Sequence, residues 1–249
     1  MRIELFFTPQ YVDDQTLRDR TVIVIDVLRA SSSIITALSN GAREVIPAPT
    51  VEGAVKISGN LDPDVVLLAG ERHAKLIPGF HLGNSPLEFT AERVKGKAII
   101  FSSTNGAQAL AKGRYARELA VCAFVNMQQV VSFLQAEPRP VVIIASGTNG
   151  SFSLEDTVCA GMLIHHLSVN GYADAEMSDG ALAAMMLYGT LGNDMLEVVK
   201  MGEHGRRLSE LGFDDDLRYC AGIDTVPVLP LLEGNVLKLH SNSKLHVCA

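Results

Sequence analysis

Residues 99–106 read IIFSSTNG and residues 143–150 read IIASGTNG. Each is an apolar, β-branched run that stops at Ser-x-Thr-Asn-Gly. Such a run, bounded by turn residues, suits a strand buried on both faces, as in a parallel sheet. A helical pattern follows each loop. The same alternation extends outward in both directions. Val22–Ile25 predicts a strand, and ASSSIITALS a helix closed by Asn40–Gly41. REVIPAP predicts a short strand ended by Pro47 and Pro49, and residues 50–58 a helix opened by Thr50. Further strands are expected at Val65–Ala69, before Gly70-Glu71-Arg72, at Ala98–Phe101, in LAVCAF and in PVVIIA. Helices are expected from about Ala107, in NMQQVVSFLQA and in SLEDTVCAGMLIHHLSV. Beyond Gly171 the pattern is helical, and Pro227 and Pro230 break the tail.

The alternation predicts an α/β fold, a largely parallel or mixed sheet in a three-layer α/β/α arrangement. With 249 residues, the chain fits a single domain over 1–249 or two closely packed lobes, with a boundary near 73–97 where the sequence is long, polar and glycine-rich. Hydrophobic residues make up 47 %, too many for disorder. The net charge is −7, with Lys and Arg scattered, so the basic footprint of a nucleic-acid binder is missing. An anionic ligand must then be held by a few placed residues against the general field. The four cysteines, Cys122, Cys159, Cys220 and Cys248, form no C-x-x-C pair and fit no zinc spacing. The opening MRIELFFTPQ is too short and polar for a signal peptide, and no apolar run reaches membrane-span length. The expectation is a cytoplasmic protein without membrane or nucleic-acid partners; a homo-oligomer stays open.

In an open parallel sheet, ligands bind beyond the carboxyl ends of the strands. Four expected strands end in DVLRAS, GER, SSTNG and SGTNG. If these strands are parallel, all four loops emerge on one edge, and the two Thr-Asn-Gly loops, each opening a helix, form two similar anion cradles. Thr104, Asn105 and Gly106 build one, and Thr148, Asn149 and Gly150 the other. The plainer account is a pair of Asn-Gly turns. Asp26 is a candidate nucleophile, metal ligand or helix N-cap, and spacing alone favours the cap. Arg29 and Arg72 are candidate anion clamps, and Glu71 a candidate metal carboxylate. Ser153 and Asp156 fit a capping box, which leaves Glu155 free to face the site. His165 and His166 read as structural; His73 and His81 are weak acid–base candidates. No Walker A, G-x-G-x-x-G, H-E-x-x-H or G-x-S-x-G motif is present.

Taken in order, VIVIDVLRASSSI, LLAGERHAKLIPGFHLGNSPLEFT, IIFSSTNGAQAL, FVNMQQVV, SFSLEDTVCAGMLI and DLRYCAGIDTVPVLP resemble the 2-phosphosulfolactate phosphatase family, called ComB. The likeness spans nearly the whole chain, and DVLRA, GER, GNSP, TNG and LED are its most specific parts. Two departures stand out. SSTNGA has fewer threonines than the family's loop, and His73–Ala74 stand where the family typically carries Asn-Gly. The resemblance implies an Mg²⁺-dependent phosphatase that hydrolyses 2-phospho-3-sulfolactate, a small phosphoacid, to 3-sulfolactate and phosphate, a step on the route to coenzyme M. It implies Asp26, Glu71 and Glu155 as catalytic residues, with Asp26, Glu71 and Asp156 toward the metal. Asn84 and Ser85 of GNSP join the two arginines and both Thr-Asn-Gly loops in substrate binding. Another small phosphorylated hydroxy acid, or a non-catalytic module that binds a phosphorylated metabolite, are the alternatives.

Overall fold

The computed structural model describes residues 1–240; Cys248 lies outside the described residues. The strands are β1 (Arg2–Phe6), β2 (Thr21–Ile25), β3 (Glu44–Pro47), β4 (Val66–Arg72), β5 (Lys75–Leu76), β6 (Ala98–Ser102), β7 (Glu118–Cys122), β8 (Val141–Ala145), β9 (Glu176–Met177), β10 (Pro230–Glu233) and β11 (Val236–Leu239). The helices are α1 (Ala30–Ser39), α2 (Val51–Ser58), α3 (Ala91–Val94), α4 (Gly106–Gly113), α5 (Met127–Ala136), α6 (Leu154–Val169), α7 (Asp179–Leu191), α8 (Met195–Met201), α9 (Glu203–Glu210) and α10 (Asp214–Cys220). All strands join one sheet in the order β5-β4-β6-β3-β11-β10-β7-β2-β8-β1-β9.

The sheet is mixed, as one of the two expected forms. Strands β4, β6 and β3 are mutually parallel, and so are β7, β2, β8, β1 and β9. Between these blocks the hairpin β10–β11 makes three antiparallel pairings in succession. The two blocks therefore run in opposite senses. This corrects the expectation that β2, β4, β6 and β8 deliver their loops to one edge of a parallel sheet. In a flat sheet the loops after β4 and β6 would leave by one edge and those after β2 and β8 by the other. The sheet is not flat. Neighbouring strands rotate by roughly 20–25°, and the steps from β6 through β3, β11, β10 and β7 to β2 accumulate about 100–125°. That turn swings the two sets of carboxyl ends toward each other.

Alternation along the strands sets the layers. Val22 and Val24 of β2 and Ile99 and Phe101 of β6 face a core built on Ile34, Ile35 and Leu38 of α1 and Leu110 of α4. Helix α1 lies against β7, β10, β11 and β3, inside the curve of the sheet. Ile23 and Ile25 point the other way, into a second core with α5, α6 and α8. Ala98 and Ile100 face a third, smaller core under α2. Residues 73–97 form no element of regular length; Leu82 and Phe89 anchor that stretch in the α1 core. The free thiols of Cys122, Cys159 and Cys220 are buried. Among the described residues no helix is long and apolar enough to cross a membrane.

Three local differences have physical causes. β4 continues through Gly70-Glu71-Arg72, because Glu71 and Arg72 pair with Leu76 and Lys75 and Gly70 pairs with Ser102. The helical stretch 195–210 breaks at Gly202 into α8 and α9. Arg2–Phe6, with alternating burial, is a further strand that pairs with β8 on one side and β9 on the other.

Asn126 ties the hairpin side of the sheet together. Fully buried, it accepts from the Ala123 N–H at 2.9 Å and donates to the carbonyls of Val121 (3.0 Å) and Val228 (3.1 Å). Asn126→Leu keeps the branched outline of the side chain, replaces its polar atoms by bulkier methyl groups and leaves those groups unpaired. We expect a loss of about 2–4 kcal/mol, read as a lower urea midpoint with an unchanged slope.

Candidate active site

Strand β2 ends at Ile25, and Asp26 turns the chain into α1. Its Oδ1 accepts from the Ala30 N–H at 3.1 Å, and its own N–H donates to Ser31 Oγ at 2.9 Å. The cap-like role expected of Asp26 is thus present, although the helix proper begins only at Ala30. The same side chain has a second oxygen. Oδ2 faces the first turn of α4 so closely that a Cβ at Gly106 would lie 2.7 Å from it. A glycine at that position lets the helix N-terminus come up against the carboxylate. Asp26 is only 6 % exposed. Burial, with repulsion from Glu71 and Glu155, pushes its carboxyl up from the ordinary 3.8 to about 7, against the Ala30 hydrogen bond.

Glu71 stands across the cleft at the end of β4. Its Oε1 accepts from the N–H (3.0 Å) and hydroxyl (2.9 Å) of Thr104, and its Oε2 from the Ala74 N–H (2.8 Å). It therefore clasps the first Thr-Asn-Gly loop to the β4–β5 turn. Asp156 does the same on the other side: Oδ1 accepts from Val27 N–H at 2.8 Å and Oδ2 from Gly147 N–H at 3.2 Å. The expected capping box is half formed. Ser153 Oγ accepts from the Asp156 N–H at 3.3 Å, but the Asp156 carboxylate turns to the two strand-end loops. Glu155 is buried beside it, and burial raises the carboxyl values of both, with repulsion from Asp26 and Glu155 adding to the rise at Asp156.

The two Thr-Asn-Gly loops are not two copies of one cradle. After β6 the chain runs straight into α4: Asn105 has φ −113°, and Ser103 Oγ accepts from the Ala107 N–H at 3.1 Å as the cap. After β8 the loop closes on itself. Asn149 (φ +53°) and Gly150 (φ +76°) are both left-handed, and Thr148 and Ser151 exchange backbone hydrogen bonds at 2.9 and 3.0 Å. That is a type I′ turn, where Asn-Gly is favoured, and α6 opens only at Leu154. The differing residue explains the divergence. Gly147 sits at φ +67°, where a Cβ would lie 2.3 Å from the Ser151 carbonyl oxygen. Ser103 cannot take that path. The expectation that each loop opens a helix holds for Gly106 and fails for Gly150.

Asp26, Arg29, Glu71, Asn84, Thr104, Asn105, Thr148 and Asn149 line one cleft, joined by His73, Ser103, His204 and Arg207. Gly150 lines a neighbouring depression with Gln10, Gln108 and Ser146. Arg29 is buried, donates to Asp216 Oδ2 at 2.5 Å, and stacks over Phe213 at 4.2 Å. Ser85 is not at the cleft wall; its hydroxyl donates to the other oxygen of Asp216 at 2.6 Å. Arg72 is not there either. Its guanidinium donates to the carbonyl of Glu71 (2.7 Å) and to Ser102 Oγ (3.0 Å), strapping β4 to β6. His81 accepts from the Leu68 N–H through Nδ1 at 2.9 Å, a structural latch. The buried Asn84 Oδ1 and Ser146 Oγ have no hydrogen-bond partner among the described residues.

Sequence reasoning missed Asp216, His204 and Arg207. Asp216 hides in the run DDD at 214–216, which reads as solvated charge, yet it alone of the three is buried. His204 and Arg207 are three apart on α9, a same-face spacing that could have flagged them. Burial first, then the charges of Arg29 and Arg207, push the value of the His204 ring down, against the opposing charge of Glu71.

The sequence profile of the family described as 2-phosphosulpholactate phosphatase matches residues 6–235. A protein of Caldanaerobacter subterraneus subsp. tengcongensis named "Probable 2-phosphosulfolactate phosphatase" is 40 % identical over 238 residues, 96 % of this chain and 98 % of its own length. A protein of Thermotoga maritima with the same name is 40 % identical over 220 residues, 88 % of this chain and 92 % of its own. A third, from Gloeobacter violaceus, is 39 % identical over 231 residues, 92 % of this chain and 94 % of its own. The matched span reaches from the end of β1 into the β10–β11 hairpin and includes every residue of the cleft, so the chain belongs to the 2-phosphosulfolactate phosphatase family.

Proposed function

We propose that this protein is a cytoplasmic phosphatase that hydrolyses 2-phospho-3-sulfolactate to 3-sulfolactate and inorganic phosphate. The observation that supports this most directly is a buried carboxylate, Asp26, set against the N-terminus of α4 in a cleft that also holds Arg29. A helix N-terminus and a guanidinium both favour a phosphoryl group. In this reading the phosphoryl oxygens sit at the start of α4, near Asn105 and Gly106, with Arg29 held in place by Asp216 and Phe213. Thr148 and Asn149 close the opposite wall. Asp26 either attacks phosphorus or takes the proton of the attacking water. A carboxyl value near 7 in the metal-free chain suits the second role, since a general base works best with a value close to the operating pH, whereas a cation held by Asp26 would lower that value and favour the first.

The reading includes Mg²⁺. No three His, Cys, Asp or Glu side chains among the described residues are grouped tightly enough to hold a metal ion alone. Mg²⁺ does not need such a cage: it keeps several waters and takes one or two carboxylates together with substrate phosphate oxygens. The donor set fits, being hard oxygen throughout and mutually repelling. Asp26 Oδ2 is the best-placed ligand atom. Glu71 and Asp156 would contribute oxygens that already accept backbone hydrogen bonds. When bound, the cation neutralises the phosphoryl oxygens.

Two measurements test this. EDTA should abolish phosphate release from 2-phospho-3-sulfolactate, and Mg²⁺ should restore it. Mg²⁺ should also raise the Tm of the wild type but not of Asp26→Asn. Full turnover in EDTA, with no retained ion, overturns the metal assignment.

Asp26→Asn should lower kcat by about two to four orders of magnitude while stabilising the metal-free fold. The folded-state value of Asp26 is raised, so between pH 3.8 and about 7 the folded chain keeps a proton that the unfolded chain releases. Stability is therefore fullest below pH 4 and falls as pH rises through 7. At pH 8 the asparagine variant, which still accepts from Ala30, should melt several degrees above the metal-free wild type, and the gap should close on acidification. A variant that melts early yet turns over normally would leave Asp26 as a cap alone.

A further inference from the structure

The cleft holds two guanidinium groups, and they differ in one respect. Arg29 is buried against Asp216, so its charge is already matched. Arg207 is exposed on the outer turn of α9, and among the described residues it makes neither an ion pair nor a side-chain hydrogen bond. The other arginine of the pair, Arg206, points away and donates to the Met201 carbonyl. The same cleft carries Asn84, 6 % exposed, whose Oδ1 has no partner. Its lining also carries the carboxylates of Asp26 and Glu71. A cleft that combines carboxylates with an unmatched guanidinium is polar throughout. It suits a ligand with more than one charged group.

We propose that Arg207 is a specificity-determining residue that binds the oxyanion of the substrate that is not transferred, its carboxylate or sulfonate, while the phosphoryl group lies at Asp26 and α4. The inference rests on the proposed function, since only a substrate with anionic groups beyond the phosphate needs such a contact. Three features favour Arg207 over the other cationic groups of the cleft. Its charge has no carboxylate partner, unlike that of Arg29. A guanidinium presents paired N–H donors that match a planar or tripodal oxyanion. Its neighbour His204, three residues earlier on the same helix face, lines the same cleft, as do Leu28 and Arg29. Two residues of α9 thus border the site, and Arg207 projects from a helix that already flanks it.

The test is equilibrium binding by calorimetry of 3-sulfolactate, lactate and inorganic phosphate to wild type, Arg207→Gln and Arg207→Lys, with Arg206→Gln as the control for net charge. Arg207 is exposed, so the variants should keep the wild-type Tm. Arg207→Gln should weaken 3-sulfolactate about 10- to 100-fold, the range for a hydrogen bond between charged groups, and Arg207→Lys less. Inorganic phosphate should change by less than about twofold in every variant, as should 3-sulfolactate with Arg206→Gln, because exposed charges at a distance are screened. Weaker lactate binding in Arg207→Gln identifies the carboxylate as the partner; an unchanged lactate affinity identifies the sulfonate. Equal loss for 3-sulfolactate and phosphate would place Arg207 on the transferred group and overturn the proposal, as would no loss at all. Phosphate release from 2-phospho-3-sulfolactate and from p-nitrophenyl phosphate separates the two claims. Wild-type enzyme that hydrolyses neither refutes the proposed function while the binding series still judges Arg207. Active wild type with an Arg207→Gln whose kcat/KM falls equally on both substrates refutes Arg207 alone.

Discussion

Burying the Asp26 carboxylate is the constraint to which the rest of the molecule answers. A charge taken out of water costs several kcal/mol unless it is paired or hydrogen-bonded, and here Glu155 and Asp156 are buried nearby. The fold brings donors to this acidic cluster from several strand ends at once. Ala30 donates to Asp26, Val27 and Gly147 donate to Asp156, and Thr104 and Ala74 donate to Glu71. The bonds from Thr104 to Glu71 and from Val27 to Asp156 join segments that follow different strands, and the other three close their own connections. The contacts that make the charges tolerable are therefore the contacts that hold the cleft in shape.

Those bonds lie within one block or the other; the cleft also requires that strand ends from the two opposed blocks meet, Asp26 after β2 against Gly106 after β6, and the meeting depends on curvature. The β10–β11 hairpin reverses the sense of the sheet between β3 and β7. Helix α1 fills the inside of the resulting curve with Ile34, Ile35 and Leu38, all essentially buried. α4 packs beside it, against β2 and β3, and Gly106 brings its first turn against Asp26. A bulkier residue at 106 or a flatter sheet would separate the same loops. The fold thus sets the site through the packing of one helix as much as through any polar contact.

The sequence made the elements legible because the strands are continuous Val/Ile runs and the helices carry clear caps: Thr50, Ser153 and Asn40 all act at the boundaries they mark. The family was legible too, and most of the cleft residues with it. What could not be read was strand sense. β10 and β11 are short, lie far along the chain, and reverse the sheet through pairings that no local pattern records. The loop repeat was misleading for a related reason. Ser103 and Gly147 differ by one side chain, but that side chain decides whether Thr-Asn-Gly opens a helix or closes a turn. Arg72 and Ser85 have the right chemistry for an anion, yet tertiary contacts place both behind the cleft, in support of Ser102 and Asp216. Asp216, His204 and Arg207 come from the helical last third, where a charge on an amphipathic helix looks the same whether it meets solvent or a cleft.

The cleft is organised for a reaction partner that brings charge with it. Its acidic floor disfavours a bare polyanion, and its carboxylates repel one another. Nothing in the scaffold relieves this by relaxing, because Asp26 is fixed at a strand end, Glu71 and Asp156 are clasped by backbone donors, and α4 abuts the carboxylate. Rigid groups that are unfavourable alone become favourable when complementary charge enters, and they need no reorganisation to do so. Anything that binds only the folded chain and neutralises this floor adds to stability, and the gain grows with the logarithm of its concentration over Kd. Electrostatic strain in the free protein and selectivity for a charged ligand are then one property of the same rigid geometry, and a substitution that eases the first must weaken the second.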